Sequence, residues 1–193
     1  MKPLVRGSDL VGLPVVTMAG DDIAEVRDVL FSPEAGALLG FTLNKRGRLA
    51  GRMKESLARS DVAAIGPDAI MVAGADALRT EPPPSGDAGG GDAGGGNVLN
   101  NQVITDGGVQ VGTVTDVVID TGAGSVVGYE VAPADEPAGR KGRRSYVPLP
   151  DTGAVSGEVL VVPATAVDYV TSDLAGFAEA VERYRTLLHG GGR

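Results

Sequence analysis

The chain has no cysteine and no tryptophan, a single histidine, and only four tyrosines and three phenylalanines among 193 residues. Without cysteine there is no thiol nucleophile, no zinc–thiolate site and no disulfide from which to read a redox compartment. With so few aromatics, core volume has to come from Val, Leu, Ile and Ala. The one histidine, His189, sits in a glycine-rich tail, a poor place for a general base. No apolar run approaches the roughly 20 residues a membrane-spanning helix needs. The longest, Val159 to Val167, contains Pro163 and reads as a strand. The opening Met1-Lys2-Pro3-Leu4-Val5-Arg6-Gly7-Ser8-Asp9 breaks polarity too early for a signal peptide, so a soluble, cytoplasmic protein is expected.

Positive charge is also in short supply. The formal net charge is −8. Residues 1–80 carry ten basic and ten acidic groups, residues 81–96 three acidic ones, and residues 97–193 seven basic and twelve acidic. General nucleic-acid binding, which works by displacing counterions from phosphates, is disfavoured by that balance.

What the chain does have is an internal repeat. Slid by 88 residues, Val15–Leu43 lies on Val103–Val131 without a gap, and nine of the 29 pairs are identical. They include Thr17/Thr105, Gly20/Gly108, Asp28/Asp116, Gly36/Gly124 and Gly40/Gly128. Eight more exchange one apolar residue for another, among them Phe31/Ile119 and Phe41/Tyr129. The match resumes at an offset of 90, with Ile65–Val72 on Val155–Val162. Within each copy, β-forming runs flank a turn: Val26–Phe31 and Leu38–Leu43, then Val114–Ile119 and Val126–Val131. Gly36 and Gly124 share the turn slot where a positive φ is free of steric cost. Short strands at this spacing predict a small barrel.

Between the copies runs Pro82-Pro83-Pro84-Ser85-Gly86-Asp87 and a glycine-rich tract to Gly96, which reads as a tether. No Gly-Lys-Ser/Thr follows its glycines, so it is not a phosphate loop. The expected domains are 1–80, a linker 81–96, a second barrel 97–171, and a helix and tail 172–193. That helix should begin near Asp173 with Ser172 as cap and carry Leu174, Phe177, Ala178, Val181, Tyr184 and Leu188 on one face. It is expected to pack across the open end of a barrel.

These motifs carry a resemblance. Ser8-Asp9-Leu10-Val11-Gly12-Leu13-Pro14-Val15, Gly20, Glu25–Phe31, Gly36, Leu39-Gly40-Phe41 and Ser60-Asp61-Val62 resemble the PRC-barrel family. Ile65–Ile70 looks like its closing hairpin. The second copy keeps the middle of the pattern and Tyr146-Val147-Pro148-Leu149-Pro150. It departs at its start, where Gly96–Asn101 replaces the Ser-Asp-Leu-Val-Gly-Leu-Pro opening. The resemblance implies mainly β architecture: two small barrels of about six strands in tandem, with a C-terminal α-helix, used as docking modules. Known settings of the family are the cytoplasmic domain of the photosynthetic reaction-centre H subunit and the C-terminal domain of a ribosome maturation factor. The module carries over, not either job.

Candidate chemistry is sparse. Asp21, Asp22, Glu25 and Asp28 could hold a hard cation, but the second copy has Val109, Gln110 and Thr113 at three of those positions, and solvated turn residues are the better reading. Asp28 and Asp116 are expected to accept backbone N–H bonds beside the strand. Neither a catalytic residue nor a cofactor nor a metal is expected. Two basic stretches follow matching strands: Lys45, Arg46, Arg48, Arg52, Lys54 and Arg59 in the first copy, and Arg140, Lys141, Arg143 and Arg144 in the second. Of these, Arg46, Arg48, Arg52, Lys54, Arg140, Lys141, Arg143 and Arg144 are the candidate partner-binding residues. The leading expectation is a non-enzymatic scaffold that docks a protein partner, with an RNA or anionic surface as a further possible partner and homo-oligomerisation as a further possible state. The alternatives are an RNA- or ribosome-associated factor, by analogy with the maturation factor, and a small-ligand or ion sensor at the cleft between barrels.

Overall fold

Strands form where β-branched and aliphatic residues run between glycine turns, and in both copies they form at the same places. The computed structural model describes residues 4–32, 36–46, 51–80, 98–134, 143–149, 154–156 and 159–190. The first copy contributes β1 (Leu4–Arg6), a one-turn helix α1 (Gly7–Leu10), β2 (Pro14–Thr17), β3 (Asp22–Ser32), β4 (Ala37–Asn44), β5 (Arg52–Ala58), β6 (Val62–Ile65), β7 (Ile70–Val72) and β8 (Leu78–Arg79). The second contributes β9 (Gln102–Thr105), β10 (Gln110–Asp120), β11 (Ser125–Pro133), β12 (Ser145–Pro148), β13 (Ala154–Ser156) and β14 (Val159–Val162). The chain then enters α2 (Leu174–Gly190).

In each copy the long second strand of the repeat serves two neighbours. β3 pairs with β2 through its first residues and with β4 along the rest, antiparallel in both cases; β10 does the same with β9 and β11. Bulges let it bend between them. Those at Val26/Asp28 and Leu30/Phe31 recur at Val114/Asp116 and Val118/Ile119. A parallel pair then turns each sheet back on itself, β2 with β7 and β9 with β14. The expected closing hairpin is β6–β7, matched by β13–β14. Thr17 and Thr105 close the same turn: each hydroxyl accepts a backbone N–H four residues on, from Asp21 at 3.1 Å and Val109 at 3.0 Å.

The start of the second copy, unlike in sequence, is alike in structure. Gly12 N–H donates to Val26 O at 2.9 Å, and Asn100 N–H donates to Val114 O at 2.9 Å. Gly12 has φ +87° and Asn100 φ +70°. Asparagine is among the few non-glycine residues that tolerate the left-handed region, so identity changes while geometry holds.

Three expectations are corrected. The Val159–Val167 run is a strand only to Val162; Pro163, lacking an N–H, ends it, and Ala164–Tyr169 is a 3₁₀-helix. The cap of α2 is Asp173, whose Oδ1 accepts Gly176 N–H at 2.7 Å, rather than Ser172. Nor does α2 close a barrel end. It lies on the outer face of the second barrel, where Phe177 and Val181 pack with Val118, Val127 and Tyr146, and Leu4 joins from β1. Tyr184 continues into the main core, 5.2 Å from Tyr169 between ring centroids. Gly128 makes the close approach possible, since a Cβ there would collide with the Phe177 ring.

The copies are fused. β4 and β11 pair at Ala37 and Ser125, joining the two sheets into one of fourteen strands. One apolar core runs through both, from Leu10, Val26 and Phe41 to Val114, Tyr129 and Leu160. The first strand of the chain also crosses over: β1 pairs antiparallel with β10 of the second copy, Leu4 to Asp120 and Arg6 to Val118.

Candidate functional site

The expected basic residues fall into different situations. Arg46 follows β4 and is bound within its own barrel, its guanidinium 2.6 Å from Asp22 and 2.7 Å from Glu25. The hydrogen bond to Asp22 is the largest influence on it, raising its pKa further above the arginine range. Arg52 and Lys54 lie on strand β5 rather than in a loop, two residues apart, and both are exposed. The pairing of β5 with β4 is irregular between Arg52 and Ser56, and both cations stay exposed across that irregularity. In the second copy Arg143 and Arg144 are exposed, and Arg144 reaches Glu130 at 3.4 Å. Arg48, Arg140 and Lys141 lie outside the described residues.

The described residues of the two stretches do not merge into one patch. β4 and β11 meet antiparallel at their first residues. Each then runs away from the joint, and the strand ends Asn44 and Pro133 are carried apart. Arg52 and Lys54 therefore form one cationic face, and Arg143 with Arg144 another.

A second constellation escaped the reading of the sequence. Arg6, at the end of β1, is 2.6 Å from Asp9 and 3.8 Å from Glu130. Glu130 is buried on β11 and accepts from the Thr115 hydroxyl at 3.0 Å and the Tyr146 hydroxyl at 3.2 Å. Its strand partner across the ladder is Asp116, also buried. The Asp116 carboxylate accepts Ser8 N–H at 3.2 Å and Val117 N–H at 2.8 Å. Asp116 thus has the structural role expected of it, and in addition it grips the first turn of the other copy. Burial pushes its pKa up, with the two N–H bonds opposing and Glu130 adding to the rise. Asp9 is held below the usual carboxylate range chiefly by the Arg6 guanidinium. The signal available in sequence was Glu130 itself, an acid standing where the first copy has Thr42 in an otherwise apolar strand.

Asp28, the repeat partner of Asp116, is less engaged. It accepts the Thr42 hydroxyl at 3.0 Å, lies 3.5 Å from Arg27, and its side chain is 48% exposed. Asp21, Asp22, Glu25 and Asp28 do not gather. Among the described residues no three such side chains come together as a metal site would require. His189 falls in the last turn of α2. Beside α2 is a groove of about 630 Å³, with Leu4, Val127, Ala178 and Val181 among its apolar lining and Glu182 and Arg183 among its charged lining. Among the described residues, no helix is long and apolar enough to cross a membrane.

The PRC-barrel domain family matches residues 3–79 and again residues 93–169. The chain belongs to the PRC-barrel family. Its two barrel domains coincide with the two halves of the fused sheet, and both matches reach back to the divergent opening of each copy, where Gly12 and Asn100 take the same conformation. No curated protein matches this PRC-barrel chain.

Proposed function

We propose that this tandem PRC-barrel protein is a non-enzymatic docking scaffold, with the exposed Arg52–Lys54 face of the first barrel as its contact for an acidic protein partner. The observation that carries the reading is the contrast on one edge of that barrel. Arg46 is neutralised by Asp22 and Glu25, while Arg52 and Lys54 stand exposed on a strand held by β4. Charge on a rigid strand is ready for an anionic partner without the cost of ordering a loop. The Glu130–Asp116–Arg6 constellation supports the same view: its hydrogen bonds hold the two copies together, a task for a scaffold rather than for a reaction. The test is affinity capture from native lysate at low and high salt, with and without nuclease. The reading expects a protein whose recovery falls with salt and is indifferent to nuclease. Recovery abolished by nuclease would favour the RNA- or ribosome-associated alternative.

A further inference from the structure

The charges around Arg46 come as a set. Its Nε and Nη2 lie 2.8 Å and 2.6 Å from Asp22 Oδ2, and its Nη1 lies 2.7 Å from Glu25 Oε2. At the same offset the second copy has Gln110, Thr113 and Ala134 in place of Asp22, Glu25 and Arg46. All three charges are present in one barrel and all three are replaced in the other, so they answer one another and not a need of the common fold. They also face solvent, the Arg46, Asp22 and Glu25 side chains being 41%, 39% and 35% exposed. Exposed ion pairs contribute little to folding, so carboxylates from outside can take their place at small cost.

The set borders the cationic face. Glu25 pairs with Asn44 across β3 and β4, and Asn44 pairs with Arg52 across β4 and β5. Residues directly opposite on a ladder point to one side of the sheet. Here that side is the outer one, because the neighbours Ala24, Val26 and Leu43 are buried on the other. Glu25 and Arg52 are two strand spacings apart, about 10 Å. The guanidinium that Glu25 holds is thus a neighbour of Arg52.

We infer that Asp22 and Glu25 are internal stand-ins for the acidic partner, and that Arg46 is the third cation of its binding face. The partner is an acidic segment of another protein whose carboxylates reach Arg46 and Arg52 together. As it binds, it takes Arg46 over from Asp22 and Glu25. A segment with a single acid can engage Arg52 or Lys54 but cannot replace the bonds that Arg46 gives up. The masking pair therefore lowers affinity for every acidic partner and selects the acid-rich ones.

This role for Arg46 rests on the docking-scaffold reading and names the residues that set affinity on the same face. The probe is a synthetic peptide of six glutamates, titrated at low salt into the ¹⁵N-labelled full chain. Binding is read from the Arg46 and Arg52 side-chain N–H signals and the amides around them. Both arginine signals should move together and saturate. Asp22→Asn with Glu25→Gln frees Arg46 and should tighten binding about three- to tenfold, a gain that disappears at high salt. Adding Arg46→Ser to that pair should return affinity to the parent level. Asp168→Asn with Glu179→Gln removes two exposed acids from the second half of the chain and should leave affinity within about twofold, which separates unmasking from a change in net charge. Asp22→Asn and Glu25→Gln made singly should each give part of the gain. No tightening on removal of the masking pair, equal tightening from the Asp168/Glu179 variant, or a gain that survives Arg46→Ser would overturn the inference. If Arg52→Ser with Lys54→Ser weakens the peptide while the masking pair has no effect, the docking face stands and only the role of Arg46 falls. If neither change matters, both fall.

Discussion

Ala37 pairs with Ser125, and each is the other's counterpart in the repeat. A residue that meets its own equivalent lies on a two-fold axis. The flanking bonds obey it: Leu38 N–H donates to Gly124 O at 3.1 Å, and Val126 N–H donates to Gly36 O at 2.8 Å. The side chains around it obey it too. Arg59 lies over Gly124 and Leu149, at the matching position of the second copy, lies over Gly36. The protein is thus the isologous dimer of a barrel written as one chain.

That seam predicts a cost for substituting one of its own turn glycines. Gly124 has φ +67°, and a Cβ there would lie 2.5 Å from Arg59 Nε. Gly20 has φ +94° and no atom within 4 Å of such a Cβ. Gly20→Ala should cost only the backbone strain, about 1 kcal/mol. Gly124→Ala adds a cross-copy clash and should cost about 2–4 kcal/mol in chemical denaturation. Equal losses at the two sites would mean that the seam contributes little.

Much of this fold was legible from the repeat, and what was not has a physical reason. Several of the nine identities mark positions where geometry tolerates few residues: Thr17 and Thr105 close a turn, Gly36 and Gly124 are left-handed, Asp28 and Asp116 sit in the bulge. The equivalence of Gly12 and Asn100 was hidden because both satisfy one φ with different side chains. The crossing of β1 onto β10 left no local pattern, since its register joins residues more than a hundred apart and the strand is three residues long. The position of α2 was misjudged for a related reason. Its apolar stripe is the same whether it covers a barrel end or a barrel wall, and Gly128, which admits Phe177, reads in sequence as a turn-former. For the site, the residue types of the basic stretches were visible, but the ion pairs of Arg46 were not.

Asp116 predicts an unusual response to pH. Its folded-state pKa is raised above the ordinary value of 3.8, chiefly by burial. A carboxyl that holds its proton more tightly when folded loses stability as pH rises from that ordinary value through the raised one, and is constant above it. Asp116→Asn keeps an oxygen for Ser8 and Val117 without the charge. The variant should be as stable as the parent or more so at pH 7, and its stability should change less across that acid window. Asp116→Ala leaves both N–H groups without this acceptor and should cost about 1–3 kcal/mol. Urea titrations of the three proteins from pH 3 to pH 7 distinguish these outcomes; parallel curves for parent and Asn variant would refute the assignment.

Tyr129 carries a second internal control. Its ring is fully buried in the second barrel, and its hydroxyl has no hydrogen-bond partner among the described residues. The first barrel has Phe41, equally buried, at the same position. Tyr129→Phe should therefore raise stability, by up to about 1 kcal/mol, because it removes a desolvated hydroxyl and leaves the packing. Phe41→Tyr should cost about 1–3 kcal/mol by the reverse argument. A loss of stability in Tyr129→Phe would show that the hydroxyl has an ordered partner, such as a buried water.

The last prediction concerns the cationic face on β5. Arg52 and Lys54 are exposed, and neither is among the ion pairs formed by the described residues. Exposed charges of this kind contribute little to folding, so Arg52→Ser with Lys54→Ser should leave the melting temperature nearly unchanged. Their contribution to an encounter with an anionic partner is different. Two exposed positive charges two residues apart on one strand speed association and lose influence as salt screens them. The double variant should weaken capture of the partner at low salt and have little effect at high salt. Arg46→Ser serves as the contrast. Its charge is already answered by Asp22 and Glu25, so removing it uncovers two carboxylates and weakens the same encounter by repulsion. Restoring neutrality with Asp22→Asn and Glu25→Gln on that background should then recover binding. Unchanged capture by the Arg52/Lys54 variant at low salt would remove this face from the function and leave the second face, Arg143 and Arg144, to be tested in the same way.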